Sequence, residues 1–329
     1  MKLDHFDHLP AGLAGASPRN VKAVFPRPAL ISLPGGRAEP LFVSTLLHGN
    51  ETTSFEVLQH LQARYGSKAP PRSLLIFVGN VDAAAVGVRF LDGQPDFNRI
   101  WAHGDSDQHA LAREVLSIAR RREVFACIDI HNNTGDNPLY GCINALRPAD
   151  LHLAVTFAPQ GVYYRNPPTT LSIAFSALCP SITIECGRSG DKAGADAAID
   201  LVEHAMRLDE FPAHPPPANA LALFETTGRV LVEPGATISF GASPADLVFE
   251  PDLETRNFKA MAAGSPWARA SSPQALRVVD EHGGDMTADF FRFDRGRLVL
   301  AKDVVPAMLT RDKDVIAKDC LCYLMTRLR

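Results

Sequence analysis

The sequence predicts an α/β fold, a sheet covered by helices on both faces, followed by a smaller, mostly-β C-terminal domain. Three observations predict it. Apolar runs of strand length alternate with helix-period segments over the first two thirds of the chain. Residues 211–218 (FPAHPPPA) then break the pattern, because four prolines in eight residues support neither helix nor central strand. Beyond them helical periodicity fades, and short apolar runs are separated by Gly and Pro turns.

In chain order, residues 40–47 (PLFVSTLL) read as a buried strand. Residues 51–65 follow as a helix, with Phe55, Leu58, Leu61 and Tyr65 at helical spacing and Gly66 as its stop. Residues 73–78 (SLLIFV) are a second strand, and 108–121 a helix carrying Leu111, Val115, Ile118 and Ala119 on one side. Residues 125–130 (FACIDI) and 181–186 (SITIEC) are two further strands, the latter followed by a helix over 195–208. Past the Pro-rich stretch, 229–232, 237–240, 275–279, 290–293 and 298–300 are short strands around turns such as Glu233-Pro234-Gly235 and His282-Gly283-Gly284. The expected division is a catalytic domain over 1–210, a linker over 211–218 and a β-rich domain over 219–329.

Composition excludes several classes. The 329 residues are 46% hydrophobic and 21% charged, which suits a chain with a buried core. Lys plus Arg is 33 against 37 Asp plus Glu, a net charge of −4, which argues against a phosphate-backbone binder and against a nucleic-acid partner. No apolar run approaches the roughly 20 residues of a spanning helix, and residues 1–10 lack a basic segment followed by an apolar one. The six cysteines show no paired metal-knuckle spacing, Cys320 and Cys322 forming only C-x-C. The expectation is a cytoplasmic protein with reduced thiols and no membrane partner; a homo-oligomer is left open.

Four clusters can carry chemistry. His48 and Glu51, in LLHGNE, stand three apart between a strand and a helix, where open α/β sheets bind ligands. An imidazole and a carboxylate at that spacing can converge on one ion if the backbone turns, and Gly49 permits a turn. The ordinary alternative is a solvated His beside a Glu that complements the helix dipole. His131, in DIHNNT, also follows a strand and would complete a His-Glu-His set with an open fourth position, the pattern of catalytic zinc. Asp129 shares its face at strand spacing and can orient a ligand imidazole; the alternative is a loop histidine among turn residues.

Glu185 closes an apolar strand, where a carboxylate is costly unless used or paired. As a general base it would gain from a pKa raised by burial, whereas an edge-exposed Glu would have no role. Residues 89–99 (RFLDGQPDFNR) bring Arg89, Asn98 and Arg99 into one Gly/Pro loop, with Asp96 able to hold it by accepting backbone donors. Arginine forks suit carboxylates and developing oxyanions, although surface ion pairs of this kind are common.

Taken together and in this order, HGNE, N-x-D-A…R…D-F-N-R, D-I-H-N-N-T and I-E-C-G resemble the succinylglutamate desuccinylase/aspartoacylase family of the zinc carboxypeptidase superfamily. The resemblance covers residues 46–187 and implies a zinc-carboxypeptidase-like mixed sheet with a C-terminal β domain. It implies one zinc ion per chain held by His48, Glu51 and His131, with Glu185 as catalytic base. Arg89 would stabilise the tetrahedral oxyanion, and Asn98 and Arg99 would grip the carboxylate of a small-molecule substrate. The implied activity is hydrolysis of the amide bond of an N-acyl amino acid. A metallocarboxypeptidase acting on short peptides and a non-catalytic metal- or carboxylate-binding module are the alternatives.

The sequence also departs from the family pattern. The stretch from Arg89 to Arg99 is two residues longer, around Gly93-Gln94. Residues 169–174 (TTLSIA) match the segment where aspartoacylases carry an arginine for the substrate's side-chain carboxylate, and that position is Leu171 here. A less acidic substrate than N-acetylaspartate follows, unless nearby Arg165 substitutes. Tyr323 is the nearest match to the tyrosine expected from the C-terminal domain, which is expected to limit access to the site.

Other polar residues read as ordinary. His103 and His109 with Asp105 and Asp107 form a polar loop leading into a helix, and Arg120, Arg121 and Arg122 complement a helix C-terminus. Cys127 and Cys179 pack as small hydrophobes, and Cys186 faces away from Glu185.

Overall fold

The structure is a computed structural model and describes residues 1–328. The chain forms two compact units. The first comprises Met1–Asn132 and Leu139–Leu221, the second Asn133–Pro138 and Ala222–Arg329.

The first unit is a mixed sheet. Its strands are β1 (Asp4–Phe6), β2 (Ala29–Leu33), β3 (Leu41–Thr45), β4 (Leu74–Val78), β5 (Ala126–His131), β6 (Tyr140–Ile143), β7 (Gln160–Tyr163) and β8 (Ser181–Glu185). They lie in the order β1-β2-β4-β3-β5-β8-β6-β7. The four central strands β4, β3, β5 and β8 run parallel, while β2 and β6 are antiparallel to their inner neighbours. Every residue of β3, β4, β5 and β8 is buried, which is why they read as continuous apolar runs and not as alternating ones.

Helices α1 (Thr53–Tyr65), α2 (Val81–Val86), α3 (Asp107–Arg121), α4 (Pro148–Phe157), α5 (Leu171–Ser176) and α6 (Lys192–Arg207) complete this unit. Leu111, Ala112 and Val115 of α3 and Leu171 and Phe175 of α5 share one core with Phe42, Phe77 and Cys127. Helices α1 and α6 pack on each other and on β3 and β5. The sheet is thus covered on both faces, as an apolar central sheet requires.

The second unit is β-rich. Strands β9 (Ala222–Val232), β13 (Leu276–Val279), β16 (Val305–Ala307) and β17 (Cys322–Arg327) pair antiparallel in the order β13-β9-β17-β16. A five-stranded sheet has the order β10 (Ile238–Phe240), β11 (Leu247–Phe249), β12 (Pro266–Ala270), β15 (Arg297–Leu300) and β14 (Phe291–Asp294). Of two short helices, α7 (Thr287–Phe290) packs on β13 and β14, and α8 (Lys313–Lys318) packs on β9. Its core gathers Trp267, Phe249, Phe290, Val278 and Leu324. Residues 211–218 carry no helix or strand, as their prolines dictate.

Candidate metal and active site

The parallel register of β3, β5 and β8 brings three motifs to one edge of the sheet. His131 is the last residue of β5, Glu185 the last of β8, and the two are register partners. Neighbours in register point to the same face, so imidazole and carboxylate stand side by side. Asp129, two residues before His131, lies on that face too, opposite Ser44 and Thr183.

His48 reaches the same place through a turn after β3. The turn lies at Leu46, whose φ of 53° is left-handed and costs a non-glycine residue about 1–2 kcal/mol. Its N–H donates to Ser54 Oγ at 2.9 Å, and its carbonyl accepts from the Asn80 N–H at 2.7 Å, which together hold the conformation. Gly49 lies in the turn expected of it, closed by the Glu51 N–H donating to the His48 carbonyl at 3.2 Å, and it has a second duty. A Cβ there would lie 2.2 Å from the Ala83 carbonyl carbon, so glycine is needed for close approach to α2.

Glu51 is the centre of the cluster. Its Oε1 is 2.7 Å from His48 Nδ1 and its Oε2 is 2.7 Å from His131 Nδ1. The Asn132 N–H donates to Oε2 at 3.1 Å, and Arg89 Nη1 lies 3.7 Å from Oε1. The opposite ring nitrogens face other carboxylates. His48 Nε2 is 2.9 Å from Asp96 Oδ1, and His131 Nε2 is 3.1 Å from Asp129 Oδ2. A carboxylate at Nε2 keeps that nitrogen protonated and leaves the Nδ1 lone pair for a metal. His48, Glu51 and His131 each offer a ligand atom, all within 4.8 Å of one another, and all three residues are buried. Two imidazoles, one carboxylate and carboxylate-held outer nitrogens fit a zinc ion.

Electrostatics follow from this packing. Burial by itself would raise the Glu51 carboxyl, but the two imidazoles hold it well below the usual range. Burial would lower His131, yet Asp129 and Glu51 raise it well above an ordinary histidine. Asp96 is likewise held low against its burial, by His48, Arg89 and Arg99. Glu185 goes the other way: burial, helped by the charge of Glu51 and opposed by His131, His48 and Arg89, pushes it up to about 7.

The 89–99 loop is anchored on Asp96. Its Oδ2 accepts from Arg89 Nε at 3.2 Å and Nη2 at 3.1 Å, and its Oδ1 accepts from the Asn98 N–H at 2.7 Å. Asp96 thus holds the loop through a backbone donor, as its position suggests, and also orients His48 and Arg89. That wider role was not legible, because 48 residues separate it from His48. The Asn98 side chain is buried; its Oδ1 accepts from the Leu171 N–H at 3.0 Å, while its Nδ2 lies 3.3 Å from His131 Nε2. Arg99 is half-buried and donates from Nη1 to the Asn98 carbonyl at 3.0 Å. Asn132 was also missed as a brace. Its side chain accepts from the Thr53 N–H and donates to Thr53 Oγ1 and the Gly187 carbonyl.

Leu171 is fully buried in the apolar core of α3 and α5. Arg165 is exposed, its guanidinium 5.8 Å from the centre of the Tyr163 ring. Tyr323 lies on β17 opposite Ala307 and Arg229, within the second unit. All six cysteines are buried. Among the described residues no helix is long and apolar enough to cross a membrane.

Comparison with known proteins agrees with this construction. The sequence profile of the succinylglutamate desuccinylase/aspartoacylase catalytic domain matches residues 38–202. No curated protein sequence matches the chain. Among solved structures, the chain is similar to a succinylglutamate desuccinylase from Vibrio parahaemolyticus, at 13% identity and a TM-score of 0.59, over 90% of this chain and 84% of that one. Murine aminoacylase 3 matches at 14% identity and a TM-score of 0.55, over 89% and 95% of the two chains. The succinylglutamate desuccinylase of Chromobacterium violaceum matches at 18% and 0.54, over 81% and 86%. At such identities these structures establish the shared fold. The profile match spans half of the chain and takes in all four motif clusters, so the chain belongs to the succinylglutamate desuccinylase/aspartoacylase family within the zinc carboxypeptidase superfamily.

Proposed function

We propose that the protein is a zinc-dependent hydrolase of the amide bond of an N-acyl amino acid. The observation that carries this reading is the register pairing of Glu185 with His131, which sets a carboxylate of raised pKa beside the His48–Glu51–His131 cluster. Pure metal or carboxylate binding has no need of such a group.

His48, Glu51 and His131 would hold the ion, with Asp96 and Asp129 fixing the two rings. Zinc supplies Lewis-acid polarisation of the carbonyl and makes a water acidic enough to react near neutral pH. Glu185 accepts the proton of the attacking water on its carboxylate and returns it to the leaving nitrogen, so the amide becomes a free acid and an amine. Arg89, already aimed by Asp96 towards Glu51, is placed to stabilise negative charge on the carbonyl oxygen. Arg99 and the Asn98 amide nitrogen bind the substrate carboxylate, which lowers the entropic cost of the attack. Asn98 has only this nitrogen to offer, because its oxygen is committed to Leu171.

With Leu171 buried in apolar surroundings, that position supplies no cation, which favours a neutral substrate side chain over an acidic one. Catalysis is assigned to residues 1–210 and control of access to 219–329, on either side of the 211–218 linker. The cysteines, all buried and without a paired metal-knuckle spacing, favour a reducing cytoplasmic setting.

Metal analysis paired with a panel of N-acyl amino acids and short peptides tests the reading. About one zinc per chain with amino-acid release, faster for neutral than for acidic side chains, is expected. Cleavage of peptides in preference would instead identify a carboxypeptidase. Bound zinc with no turnover on any member would leave a binding module.

A further inference from the structure

The loop that carries Arg89, Asp96, Asn98 and Arg99 is fastened at several points, all within the first unit. At its start the Arg89 carbonyl accepts from the Gly49 N–H at 3.1 Å, one residue beyond His48. Towards its end Asp96 meets His48 Nε2, and the Asn98 oxygen takes the Leu171 N–H. Between these points lies a turn over residues 91–94.

That turn is closed twice. The Gln94 N–H donates to the Leu91 carbonyl at 3.0 Å, and the Leu91 N–H donates to Gln94 Oε1 at 3.2 Å. Gly93, at the third position, has a φ of 75°, which glycine adopts without strain. The same Oε1 also accepts from Asn80 Nδ2 at 2.8 Å. Both lone pairs of the Gln94 oxygen are thereby engaged, one by its own turn and one by Asn80.

Asn80 is the fixed point behind the turn. It is 1% exposed. Its Oδ1 accepts from the Ala83 N–H at 3.2 Å and so caps α2, while its own N–H donates to the Leu46 carbonyl at 2.7 Å. Leu46 is the left-handed residue on the approach to His48. Asn80 therefore bonds the backbone that leads to a metal ligand and, through Gln94, the middle of the loop that carries Arg89 and Asp96.

We propose that Gln94 is a positioning residue for the hydrolysis: its Oε1, by holding Asn80 Nδ2 and the Leu91 N–H together, sets the loop so that Asp96 meets His48 and aims Arg89. This rests on the hydrolase reading above. Gln94 acts through Asp96 and Arg89 and touches no reacting atom. Asn98 has its own anchor at Leu171, so the grip on the substrate carboxylate depends less on Gln94 than the aim of Arg89 does.

The test uses the full-length, zinc-loaded protein carrying Gln94→Met, Gln94→Glu or Asn80→Asp. Methionine has nearly the length of glutamine but lacks the carbonyl oxygen, whereas glutamate keeps an oxygen able to accept both bonds. Asn80→Asp keeps the cap on Ala83 and removes the Nδ2 donor. The measurements are kcat, KM, zinc affinity by competition with a chelator, amide hydrogen exchange over residues 89–96, and melting temperature. Gln94→Met should raise exchange at residues 89–96 and lower kcat about tenfold, with KM changing less than kcat. Zinc affinity should fall, by less than the roughly 10–100-fold expected when a carboxylate behind a ligating histidine is lost outright. Gln94→Glu should restore most of the lost kcat and protection. Asn80→Asp should act in the same direction as Gln94→Met, and the double variant should be no worse than the more affected single one, because both cut the same bond.

Wild-type kcat and exchange in Gln94→Met would overturn the proposal. So would an equal loss in Gln94→Glu, which would assign the effect to shape and not to the acceptor oxygen. A lower melting temperature with unchanged kcat and KM would also overturn it, as the mark of a purely structural bond. Wild-type protein that binds zinc yet hydrolyses nothing would sink the hydrolase reading instead. Exchange and zinc affinity would then decide whether Gln94 positions Asp96 on His48: raised exchange with weakened zinc binding upholds it, and unchanged values overturn it.

Discussion

The two units bury different things. The first buries His48, Glu51, Arg72, Asp129, His131, Asp150, Glu185 and Glu203, whereas among the described residues of the second no ionisable Asp, Glu, His, Lys or Arg side chain is buried. The interior of the second is apolar, and its few buried polar side chains include Asn257, Ser239 and Thr310. Ionised groups are stable in an interior only where partners replace water. In the first unit most of these groups converge on one sheet edge, with the remainder clamping helices. Buried charge is thus a map of where the chemistry lies, and the second unit serves by shape and by hydrogen bonding.

This contrast can be broken by experiment, beginning with the largest effect. His131→Ala removes a metal ligand and leaves Glu51 and Asp129 facing each other without the imidazole between them. Zinc and activity should be lost together, read by metal analysis and turnover; normal activity would refute the site. Glu185→Gln should keep zinc and lower kcat by roughly 10²–10⁴-fold, the usual worth of a general base. Full turnover in that variant would remove Glu185 from the mechanism. Asp129→Asn should keep the fold but weaken zinc binding by about 10–100-fold, since the carboxylate at His131 Nε2 is lost. Competition with a chelator measures this, and unchanged affinity would mean the contact does not orient the ring.

In the second unit the expected loss is of stability and not of chemistry. Trp267→Ala empties the middle of an apolar core and should cost about 3–5 kcal/mol in denaturant unfolding, while zinc content stays at the wild-type value. Simultaneous loss of zinc would erase the distinction between the units. The smallest effect concerns a buried carboxylate outside the site. Burial would raise Glu203, but bonds from Tyr65, His60 and Arg207 and the charge of Arg64 leave it below its ordinary value. A lowered folded pKa stabilises above the unfolded pKa, and that stabilisation fades as pH falls through the folded one. Glu203→Gln should therefore flatten the acid side of the melting-temperature profile; an unchanged slope would assign that slope to other carboxylates.

The site was legible where local sequence carries its own punctuation. His48, Glu51, His131 and Glu185 each stand at a strand end, and Asp129 lies one pleat away from His131, so strand periodicity alone ties those two to one face. Strands β3, β4, β5 and β8 were legible because burial on both sides makes them uninterrupted apolar runs. The edge strands β1, β2, β6 and β7 and the helices α2, α4 and α5 were not, being short and without a clean period. In the second unit β9 was read as four residues and is eleven, since Gly228 and the threonines mask its pattern. Strands β11, β12, β16 and β17 were missed there for similar reasons.

The sequence by itself determined the parallel α/β centre, the change of texture after the Pro-rich stretch and the donor types available to a metal. These follow from periodicity, turn chemistry and side-chain identity, all of which act over a few residues. Only the tertiary structure decided that Asp96 faces His48, that Leu46 takes a left-handed conformation ahead of the turn at Gly49, and that Asn98 spends its oxygen on Leu171. Each of these joins groups distant in the chain or rests on a backbone conformation that its residue type disfavours. Such choices are set by packing and by hydrogen bonds made elsewhere, which no local pattern encodes.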